Sequence, residues 1–297
     1  MKQTIKVICV IAAAIFVFAA IAACTGENAQ LTGAGEDASA WDMIRLMLPS
    51  EKNTVAVTAD GELSDFLLPI ENSQPQQEDK TGDYTISGSP NILIYHTHTT
   101  EAYRQVKGDE YDESGSWRTH DNDKNIVAVG EVMKKELEAQ GFNVIHDTTD
   151  HEPPKLTTAY DRSVVTMEKY LKKYPDIDIF IDLHRDATSS ESTEDYVNVN
   201  GKKCARMMFV VGRGEGFEKK PNFKRNYSFA KSINAQLVKV DEALVRNICI
   251  KKGRYNQHVG DLNCLIEIGH NMNTLEEAEN SAVIFARALS KVVSVEK

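Results

Sequence analysis

The sequence Ile-Phe-Ile-Asp-Leu-His-Arg-Asp, from Ile179 to Asp186, is a short apolar run that leads directly into a histidine. Two other stretches repeat this arrangement: Ile-Leu-Ile-Tyr-His-Thr-His-Thr-Thr-Glu from Ile92 to Glu101, and Cys-Leu-Ile-Glu-Ile-Gly-His-Asn from Cys264 to Asn271. Short β-branched and aromatic runs separated by helical stretches are typical of strands in a buried, largely parallel sheet. Because the carboxyl ends of such strands form the binding crevice, we expect their polar residues to meet in one place.

Helical patterns lie between these strands. Residues 125–140 place apolar side chains on one helical face, and Gly141 follows as a stop signal. Further helices are predicted over residues 160–174, 226–238 and 274–293, and further strands over residues 142–145, 205–211 and 262–268. The alternation predicts an α/β fold over residues 89–297, a three-layer α/β/α domain with a largely parallel central sheet.

The N-terminus has the pattern of an export segment. Lys2 and Lys6 precede an apolar run over residues 7–23, which ends in Ile-Ala-Ala-Cys at Cys24. Three interpretations of residues 1–24 remain open: a cleaved signal peptide, an uncleaved membrane anchor, or a lipoprotein signal with a lipid on Cys24. Each of them predicts that the rest of the chain is extracytoplasmic.

Residues 25–88 are polar, acidic and poor in aromatic residues, which predicts a flexible linker between the membrane and the folded domain. The formal net charge of the whole chain is −10 at pH 7. A chain this acidic is a poor binder of nucleic acid or of anionic lipid, since both favour a basic surface. We therefore expect no nucleic acid partner.

The residues at the strand ends indicate metal-dependent hydrolysis. His96 or His98, together with His184, would supply imidazole ligands for Zn²⁺, and an acidic side chain nearby would complete the site. Glu267 lies inside an apolar strand, where a buried carboxylate is costly unless it is paired or functional. It is our candidate for the general base. The chain has no Gly-x-Ser-x-Gly or phosphate-binding motif, so serine hydrolases and nucleotide-binding proteins are not favoured.

Three motifs resemble those of a known family. The segment from Tyr95 to Glu101 is similar to the signature of stage II sporulation protein P, a family of cell-wall hydrolases of endospore-forming bacteria. More distantly, Asp-Leu-His-Arg-Asp-Ala (182–187) and Leu-Ile-Glu-Ile-Gly-His-Asn (265–271) resemble segments of the zinc-dependent N-acetylmuramoyl-L-alanine amidases. The resemblance implies that His184 is a zinc ligand and that Glu267 is catalytic.

The resemblance assigns the remaining zinc ligands less directly. Matching the strands places the amidases' first ligand on His98, with His96 as the alternative. Their second ligand is a Glu before the first helix, where this chain has His-Asp-Asn-Asp. We expect Asp121 to replace it, with Asp123 or Glu101 as alternatives. Substrate contacts are expected from the polar residues Arg185, Asn256 and Asn271.

The resemblance implies a membrane-tethered hydrolase of peptidoglycan that cleaves the amide between N-acetylmuramic acid and L-alanine during forespore engulfment. A second activity on peptide cross-links is also implied. The implied partners are a lytic transglycosylase (stage II sporulation protein D) and the membrane protein stage II sporulation protein M. Two other functions remain open, an exported metal-dependent peptidase or deacylase and a non-catalytic wall-binding module with a degenerate site.

Overall fold

A computed structural model describes residues 84–86 and 92–295. The predictions for residues 1–24, with Cys24, and for residues 25–83 of the linker lie outside the described residues. Within the described part of the chain, no helix combines the length and the apolar character that crossing a membrane requires.

The domain is built on a six-stranded mixed sheet with the order β3-β2-β4-β9-β7-β8. The strands are β1 (Tyr84–Ile86), β2 (Ile92–Tyr95), β3 (Val144–His146), β4 (Ile179–Asp186), β5 (Tyr196–Val199), β6 (Lys202–Ala205), β7 (Met207–Gly212), β8 (Cys249–Lys251), β9 (Leu262–His270) and β10 (Val293–Val295). The helices are α1 (Ile126–Ala139), α2 (Ala159–Lys173), α3 (Phe223–Val238) and α4 (Leu275–Ser290), with 3₁₀ turns at Leu156–Thr158 and Glu242–Leu244. β1 pairs with β10, and β5 pairs with β6, in two small separate sheets.

The two faces of the sheet carry different cores. Apolar residues of α1, α3 and α4 pack with Ile179, Ile181 and Leu183 of β4 on one face. On the other face, Met167 of α2 packs with Phe180. Because side chains alternate along a strand, Asp182 and His184 lie on the same side as Phe180. The alternation therefore places His184 on the face that α2 covers.

The helix ends follow local sequence signals. Asn125 caps α1 by accepting a hydrogen bond from the backbone N–H of Val127, and Gly141 follows the helix with φ +95°. Thr274 and Glu277 form a capping box at the start of α4. Such caps satisfy the N–H groups that the first turn of a helix leaves unpaired. The prediction of a helix at 125–140 that Gly141 stops is confirmed within one residue at each end.

The structure differs from the sequence prediction at the edges of the domain. β9 and β7 are antiparallel, so the sheet is mixed, although the other four neighbouring pairs are parallel. Tyr84–Ile86, assigned to the linker by sequence, forms a strand on Val293–Val295. Ile86 is buried in the main core, and the Tyr84 ring meets the Phe229 ring edge-on at 5.1 Å. The folded domain therefore begins before residue 89.

Candidate active site

The carboxyl ends of β2 and β4 bring three buried polar side chains together. After Tyr95 the chain leaves the extended conformation, so the residues that follow do not continue the alternation of β2. The rings of His98 and His184 lie 5.5 Å apart, edge to face. Glu101 places its Oε2 atom 3.5 Å from Nδ1 of His184. His98, Glu101 and His184 are therefore the centre of the candidate site.

His184 lies between two carboxylates. Besides Glu101 at Nδ1, its Nε2 atom is 2.8 Å from Oδ1 of Asp182. The angle of this ion pair is outside hydrogen-bond geometry, so Nε2 has no hydrogen-bond partner among the described residues. Burial alone lowers a histidine pKa, but the charges of Asp182 and Glu101 outweigh it and raise the pKa of His184 well above its usual value. The surplus of negative charge around one imidazole favours a cation.

The two carboxylates are themselves held in place. Asp182 accepts hydrogen bonds from the backbone N–H of Thr97 at 2.9 Å and from its hydroxyl at 2.7 Å. Glu101 accepts from the backbone N–H of Arg185 at 3.0 Å. Burial raises the pKa of Glu101, but the hydrogen bond and charge of His184 outweigh burial and hold that pKa below its usual range. Both groups are therefore anions with a fixed orientation.

His98 has a carboxylate neighbour, Glu152, that sequence reasoning missed. Its Nδ1 atom is 3.4 Å from Oε1 of Glu152, which is bonded to Thr100 and Arg118. Neither ring nitrogen of His98 has a hydrogen-bond partner among the described residues. Glu152 precedes two prolines and follows no apolar run, so the pattern that reveals His184 gives no signal for it.

Glu267 lies beside His184 in the sheet. The two residues are register partners in the β4–β9 pair, and both side chains lie on the α2 face. The residue as a whole is partly exposed, while its Oε2 atom is enclosed and has no hydrogen-bond partner among the described residues. Burial is the largest cause that raises the pKa of Glu267, to about 8. The charge of His184 opposes this shift, whereas the negative charges of Asp186 and Glu101 add to it. A carboxyl that titrates near neutrality can accept and release a proton during turnover.

His96 belongs to a different cluster. Its Nδ1 atom donates to the carbonyl of Leu183 at 3.0 Å, since a carbonyl can only accept. The other nitrogen, Nε2, lies 2.9 Å from Nε2 of His146. Burial, followed by the charge of His146, lowers the pKa of His96 to about 3, so the ring is neutral. Both nitrogens of His96 are used within the fold, which removes it from the set of free ligands.

A glycine makes room for this histidine pair. Gly130 lies in the middle of α1, where glycine is unfavourable for a helix. A Cβ atom at this position would lie 2.9 Å from Cε1 of His146 and 2.9 Å from Nε2 of His96. The close approach of α1 to the pair therefore explains why glycine occupies a helical position.

The predicted acidic ligands divide into two groups. Glu101, given as an alternative, lies in the site. Asp121 and Asp123 are exposed in the turn before α1, where Asp121 accepts a hydrogen bond from the backbone N–H of Asp123 at 3.0 Å. The structure does not bring either aspartate to the histidines, because the turn that carries them faces solvent.

The predicted substrate-binding residues have structural partners instead. Arg185 is buried, and its guanidinium donates to the carbonyls of Ala102 and Trp117, both at 2.8 Å. Asn256 donates to the carbonyl of Tyr160 at 2.7 Å. Asn271 accepts from the backbone N–H of Thr188 at 2.7 Å. All three side chains stabilise the loops around the site, and in this arrangement none is presented to substrate.

Two tyrosines form one wall of the site. Tyr160, at the start of α2, stacks over His184 with 6.5 Å between ring centroids, and its edge contact with Tyr255 measures 5.6 Å. Tyr255 and Asn256 are consecutive non-glycine residues with φ of 47° and 51°, a conformation such residues rarely adopt. The hydrogen bond of Asn256 to the Tyr160 carbonyl holds this turn against α2.

The donors suit zinc in their chemistry more than in their spacing. Among residues 84–86 and 92–295, no three His, Cys, Asp or Glu side chains are grouped closely enough to hold a metal ion as they are placed. Zinc binds imidazole nitrogens and carboxylate oxygens. His98, Glu101 and His184 supply both kinds of donor, and both ring nitrogens of His98 lack hydrogen-bond partners among the described residues. Zinc ligation would require these side chains to draw closer together.

Comparison with known proteins adds the family. A family model described as stage II sporulation protein P matches residues 31–290. This chain belongs to the stage II sporulation protein P family. Stage II sporulation protein P of Bacillus subtilis (strain 168) is 27% identical over 259 residues, which are 82% of this chain and 62% of that protein. The chain thus spans less than two thirds of the length of this curated relative.

Solved amidase structures show a partial likeness of fold. The N-acetylmuramoyl-L-alanine amidase AmiC2 of Nostoc punctiforme is 14% identical, with a TM-score of 0.41 over 69% of this chain and 97% of that one. The CwlD amidase from Clostridioides difficile, solved in complex with the GerS lipoprotein, is 15% identical, with a TM-score of 0.39 over 67% of this chain and 94% of that one. The catalytic domain of the CD27L endolysin, which targets Clostridia difficile, is 14% identical, with a TM-score of 0.42 over 69% and 98%.

Proposed function

We propose that this protein is a zinc-dependent peptidoglycan hydrolase that cleaves the amide between N-acetylmuramic acid and L-alanine of the stem peptide. The observation that carries the proposal is the pairing of His184 with Glu267 across β4 and β9, beside His98 and Glu101. Imidazole and carboxylate donors next to a carboxyl of raised pKa are the groups that metal-assisted amide hydrolysis needs. Membership of a sporulation protein family supports the cell wall as the substrate.

His98, Glu101 and His184 would hold the zinc ion. When bound, zinc supplies a Lewis acid for the amide carbonyl and lowers the pKa of a water molecule. Asp182 would orient His184 from the far side of the ring, since its Oδ1 lies 2.8 Å from Nε2. A carboxylate behind a ligating histidine fixes the ring orientation and raises its basicity. In this assignment Glu101 is the acidic ligand, the role predicted from sequence for Asp121.

Glu267 would move the proton. Its unpaired Oε2 atom accepts a proton from the attacking water and then donates it to the departing amine of L-alanine. A carboxylate with its pKa raised to about 8 is a stronger base for the first step than an ordinary glutamate, and it holds the proton until the amine departs in the second step. Arg118 and Glu152 act through His98. The ion pair with Arg118 holds the Glu152 carboxylate in place, and Oε1 of Glu152 lies 3.4 Å from Nδ1 of His98.

We also propose where the protein acts in the cell. Residues 1–24 would export the chain and attach it to the membrane, with Cys24 as the lipidated residue if the segment is a lipoprotein signal. Residues from 25 to the start of β1 would then tether the domain within reach of the wall. The family suggests engulfment as the process, cross-link cleavage as a further activity, and the stage II sporulation proteins D and M as partners.

Product analysis of digested wall tests the proposal. A protein starting just before Tyr84 keeps β1 and the complete described domain. With zinc, it should release stem peptides from purified sacculi and create new amino groups on L-alanine, while Glu267→Gln should release them roughly 10²- to 10⁴-fold more slowly. New amino groups only at cross-links would favour a peptidase. Binding to sacculi without new amino groups would favour a wall-binding module and refute the proposed chemistry.

A further inference from the structure

Arg246 lies beside the β7–β9 strand pair, which holds Glu267. Its backbone N–H donates to the carbonyl of Met207 at 2.8 Å. The next residue, Met208, is the register partner of Glu267 in the β7–β9 pair. Arg246 is also close enough to Glu267 for its positive charge to favour the ionised carboxylate. The arginine is therefore a neighbour of the proposed base, although it is not one of the residues assigned to the chemistry.

The guanidinium of Arg246 is bonded on one side only. Its Nη1 atom donates to Oδ2 of Asp186 at 2.8 Å. Asp186 is held in turn, because its Oδ1 accepts from the backbone N–H of Ala187 at 2.8 Å. The Nε and Nη2 atoms of Arg246 are buried, and no described residue accepts a hydrogen bond from either. The arginine is thus anchored through Nη1, with two donors left over.

The two unpaired donors belong to the same edge of the guanidinium plane. The N–H groups of Nε and Nη2 are parallel, and this fork matches the two oxygens of a carboxylate. Buried donors of a charged group that stay unpaired destabilise the folded state, and such groups are few in native proteins. The Arg246 side chain is 26% exposed, so the arginine reaches solvent although the two donor atoms themselves are enclosed.

We propose that the Nε and Nη2 edge of Arg246 binds a carboxylate of the peptide that leaves the cleaved amide, an inference that rests on the proposed function. In the stem peptide of peptidoglycan, L-alanine is followed by a D-glutamate whose α-carboxyl group is either free or amidated. The free acid offers two acceptors to the fork. A carboxamide instead presents one oxygen and one NH₂ group to the fork. Its NH₂ group would face an N–H donor of Arg246, and two donors cannot form a hydrogen bond. Arg246 therefore selects stem peptides with a free α-carboxylate.

The charges around the fork are consistent with this selectivity. Asp186 neutralises Arg246 through Nη1, so the added carboxylate gains hydrogen bonds more than net Coulomb attraction. Bidentate geometry, rather than charge alone, is what Arg246 contributes. Lysine should therefore not replace it.

A matched pair of ligands tests the proposal. N-acetylmuramoyl-L-alanyl-D-glutamate and the corresponding D-isoglutamine differ only in the α-carboxyl group. Their dissociation constants are measured by calorimetry on Glu267→Gln, which should turn them over roughly 10²- to 10⁴-fold more slowly than wild type. We expect the acid to bind roughly 10- to 100-fold more tightly than the amide, the range expected for hydrogen bonds to a charged group. Adding Arg246→Lys should remove most of this difference and leave amide binding nearly unchanged.

Arg206→Lys is the control substitution. Arg206 pairs with Asp195 at 3.2 Å as Arg246 pairs with Asp186, but its Nε is already bonded to the carbonyl of Ala243. The control should keep the preference for the acid. Melting temperatures of all variants check that the fold is intact. Equal affinity for both ligands in the Glu267→Gln protein, no binding of the acid at millimolar concentration, or equal weakening of both ligands by Arg246→Lys would each overturn the proposal.

The result separates this inference from the proposed function. If sacculi are not hydrolysed but the acid still binds through Arg246, the carboxylate site stands and the hydrolase assignment fails. If sacculi are hydrolysed while acid and amide bind equally, only the carboxylate site fails. The kinetic counterpart is a higher KM for Arg246→Lys on muropeptides with free α-carboxylates, with kcat little changed.

Discussion

His96 and His98 are two residues apart, yet they belong to regions with opposite physical character. In the region of His96, both ring nitrogens of the buried histidine are bonded, to Leu183 and to His146. In the region of His98, both nitrogens of an equally buried ring lack partners among the described residues, and the neighbouring side chains are carboxylates. Satisfied buried groups stabilise a fold, whereas unsatisfied ones indicate a site that binds something. The contrast assigns the two histidines to different roles.

Removing each histidine tests the contrast with the largest expected effect. His98→Ala and His184→Ala should lose both zinc and hydrolysis, because a site reduced to two protein ligands binds metal weakly. His96→Ala should retain zinc, with its cost appearing in the melting temperature instead. Metal analysis of the three purified variants is the measurement. Full zinc content in His98→Ala, or none in a folded His96→Ala, would reverse the assignment.

The acidic ligand is tested by a matched pair of isosteric changes. Glu101→Gln should lower zinc affinity by about 10-fold or more, since its carboxylate faces His184 at 3.5 Å. Asp121→Asn should leave zinc affinity unchanged, because Asp121 lies in an exposed turn. Zinc competition with a chelator gives both values. The opposite pattern would restore Asp121 as the ligand, as the sequence predicted.

The base is tested by a change that keeps shape and removes proton transfer. Glu267→Gln should slow release of stem peptides by roughly 10²- to 10⁴-fold, the usual contribution of a general base. Zinc content should stay at the wild-type level, because Glu267 is not assigned as a ligand. A variant that digests sacculi at nearly the wild-type rate would remove Glu267 from the mechanism.

The strands and helices were readable from sequence because their signals are local. Asn125 and Gly141 mark both ends of α1, and the apolar run before His184 marks β4. Sequence also indicated His98, His184 and Glu267, because each polar residue interrupts or ends an apolar run that has to be buried. These are the residues that strand order alone brings to one edge of the sheet.

The features that sequence reasoning missed depend on contacts between distant segments. The antiparallel placement of β7 on β9 leaves no mark in the sequence, since an apolar run such as residues 207–211 suits parallel and antiparallel pairing alike. Glu152 reaches His98 through a loop, and β1 owes its place to β10, more than 200 residues away along the chain. Arg185 looked available for substrate, but its partners are backbone carbonyls, which any sequence supplies.

The packing of α1 against the histidine pair gives a prediction about stability. Gly130→Ala would normally favour a helix, but its Cβ would lie 2.9 Å from atoms of both His96 and His146. We expect a net loss of about 1–3 kcal/mol in the free energy of unfolding, as for other overpacked cores. Denaturant unfolding of Gly130→Ala, His146→Ala and the double variant measures it. If the clash is the cause, the double variant should be more stable than the sum of the single losses predicts.

The smallest expected effect concerns the pH dependence of stability in the metal-free protein. Burial, the largest cause, raises the pKa of Glu267 from 4.5 to about 8, so the folded state binds this proton more tightly than the unfolded state does. The free energy of unfolding should therefore fall as pH rises from about 4.5 through 8. His184 also has a raised pKa, and its contribution to stability likewise falls as pH rises, so wild type alone cannot separate the two groups.

The variant Glu267→Gln separates them, because it keeps His184 and removes the titration of Glu267. The stability gain of this variant over wild type, measured after zinc is removed with a chelator, should be larger at pH 8 than at pH 5. A gain that does not change with pH would mean that solvent or a structural rearrangement relieves the carboxylate, and the reading of Oε2 as an enclosed, unpaired atom would have to be given up.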